Sequence, residues 1–124
     1  MGKKTEYHIN TDVEFGPLER IDLAELERAC EHEWFNQTLC RVNDSVVRLG
    51  ILKGEFHWHR HEKEEEFFYV VKGCLLIDLE GRTIELSSHQ GTVVPRGVIH
   101  RPRAPERTVV LMVEAATVTP IGDD

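Results

Sequence analysis

No apolar run in this sequence of 124 residues approaches the ~18 that a membrane-spanning helix needs. The longest candidate, Thr108 to Val118, is broken by Glu114. Lys3 and Lys4 open the chain, but polar residues follow where the apolar core of a signal peptide would stand. Cysteine is scarce: Cys30, Cys40 and Cys74 are odd in number and form no Cys-x-x-Cys pair, so neither a disulfide framework nor a zinc finger is indicated. Positive charge is also short. Lys and Arg number 15 against 22 Asp and Glu, a formal charge of −7, and an acidic chain of this kind is poorly suited to a phosphate backbone. There is no internal repeat and no low-complexity segment. A chain of this length has room for one core, and 40% hydrophobic with 30% charged residues is a globular balance. The expectation is a single cytoplasmic domain over 1–124, binding neither nucleic acid nor membrane.

Two periodicities divide the chain. Residues 1–35 read as an extended arm, punctuated by Gly16-Pro17, followed by one short helix over Ile21 to Cys30. Asp22 followed by Glu25 resembles a capping box, and Leu23, Leu26 and Cys30 repeat at helical spacing. From about residue 36 to 118 the period becomes two. Strands are expected at Ser45–Lys53, Glu66–Val71, Cys74–Leu79, Arg82–Leu86, Gly91–Val94 and Thr108–Val113. Asn43-Asp44, Lys72-Gly73, Glu80-Gly81, Pro95-Arg96-Gly97 and Pro102 to Pro105 read as the turns around them. Many short strands with one helix predict an all-β sandwich or barrel, and residues 119–124 form a tail.

Histidine carries the chemistry. His57, His59 and His61 share parity, so on an extended strand their imidazoles project from one face. That parity runs back to Ile51, Leu49 and Val47, which makes it the apolar interior face unless Gly54 marks a bulge. Glu66 opens the next strand with the parity of Phe68 and Val70, and His100 follows the turn at Pro95 to Gly97. Burying imidazoles with a carboxylate is costly unless something satisfies them. A divalent metal does so, and imidazole with carboxylate suits iron, manganese, zinc, nickel or cobalt. Three or four protein ligands on an octahedral ion leave positions open for chemistry. The competing reading is a solvated surface loop, since Glu62 to Glu66 is a charge run.

The spacing of these residues resembles that of the cupin family. His59-x-His61, four residues, Glu66, six residues, Gly73 is similar to the family's first motif, and Pro95-x-Gly97-x-x-His100 to the centre of its second. His89 and Ala104 stand where the family often has glycine and asparagine, and Gly54 sits one residue closer to His59 than usual. The resemblance implies a double-stranded β-helix (jelly-roll) barrel with one divalent transition metal on His59, His61, Glu66 and His100. His57-x-His59 is a competing pair, but only His59 and His61 have Glu66 at the motif's spacing. The resemblance also implies a homodimer, for which an extended N-terminal segment offers an edge to pair.

With Glu66 spent as a ligand, a proton carrier is sought in His57 or a tyrosine such as Tyr69. His57 would line the pocket or orient a ligand. Phe68 is expected in the pocket wall, with Phe56 and Trp58 in packing or an interface. Arg96, Arg101 and Arg103 would attract an anion or simply be exposed; His8 and His32 are read as solvent-facing, and Cys74 as a small packing residue. The leading function is a metal-dependent enzyme acting on a small oxygen-bearing molecule, with isomerase, lyase and dioxygenase chemistry all open. The alternative is a non-catalytic module that binds or senses a small ligand.

Overall fold

The computed structural model describes residues 5–123. Its elements are β1 (Tyr7–Asn10), α1 (Leu23–Ala29), β2 (Trp34–Val42), β3 (Ser45–Glu55), β4 (Glu66–Lys72), β5 (Cys74–Leu79), β6 (Arg82–Ser87), β7 (Gly91–Val94) and β8 (His100–Ala115). The strands run in the order β1-β2-β3-β8-β4-β7, and β5 pairs with both β6 and β8. This all-β barrel with one short helix is the double-stranded β-helix expected. Among the described residues, no helix is long and apolar enough to cross a membrane.

Strand β8 is the seam of the barrel. One edge pairs with β3 from Ser45↔Ala115 to Glu55↔Arg103. The other edge pairs first with β5, through Leu79↔His100, and then with β4, through Glu66↔Glu114. The expected turn at Pro102 to Pro105 is therefore a correction: these residues belong to β8. Proline is tolerated there because its fixed φ suits an extended chain, and at Pro105 the ladder with β3 is interrupted. The β3–β8 register jumps between Leu52↔Thr108 and Gly54↔Ala104, leaving Pro105 in the gap.

That gap is the bulge at Gly54, whose φ of 107° lies in the left-handed region that favours glycine. It is the exception that the parity argument left open. Val47, Leu49 and Ile51 do not share a face with the histidines; they pack outside the barrel with Leu39 and Val109, beneath Leu23 and Leu26 of α1. The interior is filled from the other face by Leu52, together with Phe56, Phe68, Val70, Ile77 and Met112. The helix itself starts as read, with Asp22 accepting from the Glu25 N–H at 3.2 Å. Lys72 and Arg107 hold its C-terminal end, bonding the Glu27 carboxylate and the Glu27 and Cys30 carbonyls respectively.

The N-terminal arm is not free either. β1 pairs parallel with β2, from Tyr7↔Trp34 to Asn10↔Gln37. β2 also starts two residues before the expected barrel boundary, at Trp34.

Candidate metal centre

The chain leaves β3 as irregular structure and meets β8 again at an isolated bridge. The His59 N–H donates to the His100 carbonyl at 3.0 Å, and the His100 N–H donates back at 2.9 Å. This reciprocal pair sets His59 and His100 side by side, their ring centroids 4.3 Å apart. Two residues on, the His61 carbonyl accepts from Gly97 of the Pro95–Gly97 turn at 2.8 Å, so the two motif segments lock together. His61 and His100 are buried, at 2% and 0% exposure, as is Glu66 at 4%. One donor atom from each of His59, His61, Glu66 and His100 lies within 4.8 Å of the other three.

The arrangement fits a cation. His100 Nδ1 donates to the Val98 carbonyl at 2.9 Å, which leaves Nε2 as a bare lone pair in the neutral ring. That lone pair faces Glu66 Oε1 at 3.2 Å, and His61 Nε2 faces the same oxygen at 3.2 Å. Both nitrogens of His61 are buried without a hydrogen bond. Lone pairs converging on one carboxylate oxygen repel unless a proton or a metal ion lies between them, and this donor set suits a divalent transition metal. His59 is oriented in the same way, its Nδ1 donating to the His57 carbonyl at 3.0 Å.

The electrostatics divide the histidines. Burial, with the neighbouring His100, pushes His59 down to about 4. Burial acts the same way on His61, but the Glu66 carboxylate outweighs it and the net direction is up. Burial raises Glu66, but the His100 and His61 rings against it outweigh that and hold it below the ordinary carboxylate range.

A cavity of about 30 Å³ opens beside His59 and Glu66, walled by Trp34, Leu52, Phe56, Phe68 and Met112. Phe68 is thus in the wall, as expected. So are two polar residues that sequence reasoning missed, Asn36 and Glu114. Glu114 is 4% exposed and lies opposite Glu66 in the β4–β8 register. Burial, and then the charge of Glu66, drives its carboxyl well above the usual range. Arg48, 3% exposed, supports it from below: Nε donates to Thr38 Oγ1 at 3.0 Å, Nη1 donates to the Val118 carbonyl at 3.1 Å, and Nη1 lies 3.5 Å from Glu114 Oε2. The signal was an Arg and a Glu inside apolar strands, readable only once the inward parity was known.

Other expectations are corrected. His57 is exposed, its Nε2 donating to the Ile121 carbonyl at 2.6 Å; it serves the centre through its own carbonyl. Tyr69 alternates away from Glu66 and Phe68, lying opposite Gly91 and Leu111 and outside the cavity. The tyrosine nearer this region is Tyr7, whose ring centroid is 4.4 Å from that of Phe56. Arg101 and Arg103 are neither fully exposed nor free for an anion: both bind Asp78 Oδ2, at 2.8 and 2.7 Å. Trp58 is exposed beneath the Arg101 guanidinium, and Arg96 is exposed. His8 and His32 are solvent-facing as read, stacked at 3.6 Å.

Known proteins share this frame. A solved cupin-2 domain protein of Shewanella frigidimarina superposes with a TM-score of 0.73 at 29% identity, covering 77% of this chain and 93% of that one. Protein NMB1881 of Neisseria meningitidis gives 0.69 at 26%, covering 78% and 99%. In sequence, the chain is 41% identical over 80 residues to the uncharacterized protein YdbB of Bacillus subtilis strain 168, covering 64% of this chain and 71% of that protein. The family model for the cupin domain matches residues 48–114, from the strand below the bulge to Glu114. The match spans more than half of the chain and takes in all four clustered side chains: the chain belongs to the cupin family.

Proposed function

We propose that this cupin is a metal-dependent enzyme acting on a small oxygen-bearing molecule. The observation that carries the reading is the convergence of the His61 and His100 Nε2 atoms on one Glu66 oxygen, each at 3.2 Å. His59, His61, Glu66 and His100 would hold the metal. A divalent ion there supplies a Lewis acid or, as iron, a redox centre.

The chain's own residues supply the rest. The aromatic and aliphatic walls make the cavity beside the cluster narrow and largely apolar. Asn36 and Glu114 offer the polar contacts at the wall. Glu114, whose carboxyl is pushed up by burial and which lines the cavity, would serve as the proton carrier in place of His57 or Tyr69.

The test is elemental analysis of protein purified without chelator, beside a His59→Ala/His61→Ala double variant. Near-stoichiometric iron, manganese, zinc, nickel or cobalt, lost in the variant, is expected. Protein that holds no metal and cannot be loaded sinks the reading. Saturable ligand binding without product would assign the site to a binding module instead.

We also propose a homodimer in the cytoplasm. Because β1 is spent on its own sheet, the pairing face is placed on the outer side of β7, β4 and β8. Val93, Phe67 and Val113 lie in register there and are exposed. Sedimentation showing only a 14.3 kDa species at micromolar concentration would overturn this.

A further inference from the structure

The segment after β8 turns back across the barrel mouth. The Val118 carbonyl accepts from buried Arg48, Pro120 lines the cavity, and the Ile121 carbonyl accepts from His57. Gly122, with φ 96°, lies so close to His59 that a Cβ there would stand 2.6 Å from the His59 Cβ. Asp123 completes this strap beside His61. Its N–H donates to the Arg60 carbonyl at 2.9 Å, and its Oδ2 accepts from the Glu62 N–H at 2.8 Å.

The three imidazoles are held unequally. His59 and His100 each give an Nδ1–H to a carbonyl, of His57 and Val98. His61 has no such partner, although it is 2% exposed and both of its nitrogens are enclosed. Its Nε2 faces Glu66, which leaves Nδ1 for the other neighbours. A ring nitrogen of His61, a carboxylate oxygen of Glu64 and one of Asp123 lie within 4.8 Å of one another. Glu64 Oε2 is taken by the Thr117 hydroxyl at 2.6 Å. Asp123 Oδ1 has no partner among the described residues.

We propose that Asp123 is a positioning residue of the metal centre. Its free oxygen takes the outward N–H of His61, directly after a carboxylate rotation or through one water, with Glu64 as the acceptor behind it. The strap therefore completes the third imidazole when it lies closed, doing for His61 what fixed carbonyls do for His59 and His100. This rests on the metal reading above. Outer partners of this kind change metal affinity by about 10–100-fold.

The experiment is cobalt affinity of the full chain by competition with a chelator, for the native protein and for Asp123→Asn, Asp123→Glu and Thr119→Ala. Asp123→Asn keeps an acceptor for the Glu62 N–H, so the strap stays latched, but turns its amide donors toward His61. It should bind cobalt about 10–100-fold more weakly. In the zinc-loaded protein it should also lose the slowly exchanging His61 Nδ1–H signal, while those of His59 and His100 persist. Asp123→Glu should recover most of the affinity, and Thr119→Ala should match the native protein. Unchanged affinity and an unchanged His61 signal in Asp123→Asn overturn the proposal. So does a Thr119→Ala as weak as Asp123→Asn, or a second bound cobalt that disappears in Asp123→Asn. A native protein that takes up no cobalt removes the metal reading itself, so the two failures are distinct.

Discussion

Strand β3 packs two different ways on its two faces. Outward, Val47, Leu49 and Ile51 join Leu39 and Val109 under α1 in a cluster of apolar side chains. Inward, the alternate residues Arg48, Gly50 and Leu52 face a barrel whose lower wall holds Asn36, Glu66, His100 and Glu114, all buried. The outer cluster holds the fold by burial alone. The inner face gives up part of that burial to polar groups that need one another, or a ligand, to be satisfied. Apolar burial and the polar cluster are thus divided across one strand, and the division can be tested from either side.

The largest expected effect is chemical. Glu114→Gln is close to isosteric with the protonated acid, so it should keep the fold and the metal content. If Glu114 carries the proton, turnover on an identified substrate should fall by about 10²–10⁴-fold. Equal turnover in the variant would move the proton elsewhere. On the other face, Leu49→Ala should cost about 2–5 kcal/mol in a urea titration while leaving the metal-to-protein ratio of the folded fraction unchanged. Metal loss from folded Leu49→Ala protein would break the division.

A subtler effect concerns pH in the metal-free protein. His59 is depressed to about 4 from 6.5, so the unfolded chain takes up the proton first. Its contribution to stability is present above 6.5 and is lost as pH falls toward 4. His61 is raised, so its contribution is complete below 6.5 and is lost as pH rises through its folded value. As pH falls, ring titrations by NMR should show His61 protonating before His59; the reverse order would contradict the asymmetry around Glu66. The smallest effect belongs to His57→Ala. It removes one exposed hydrogen bond to the strap, worth about 0.5–1.5 kcal/mol, and should show mainly as faster proteolysis after residue 118.

Much of this was legible beforehand. The clustered side chains were named through the resemblance of two short motif segments to the cupin family, whereas residue type and parity alone left His57 in competition with them. The helix start was visible in Asp22 and Glu25, since capping is a local contact. What alternation alone misassigned was facing. The sequence left open whether Gly54 is a bulge, and because it is one, parity along β3 changes meaning there and the inward placing of Arg48 and Glu114 could not be read. Pro102 and Pro105 were read as a turn because local preference cannot see that Pro102 sits in the extended ladder opposite Ile77 and that Pro105 falls in a register jump. The strap was beyond reach for a different reason: Gly122 and Asp123 matter only through residues about 60 positions away.

The double role of β8 has a consequence for how the protein is made. It carries His100 at its first residue, pairs with β3, β4 and β5, and sets Glu114 opposite Glu66 near its far end. Each of these pairings joins segments distant in sequence, and such closures come slowly because the loops between them must be gathered first. Until β8 has docked, His100 is remote from His59 and Glu66, and no complete nest of ligands exists for an ion to find. On the proposed metal reading, folding would precede loading, so a chain produced in metal-starved cells should accumulate as a folded barrel that can be charged afterwards.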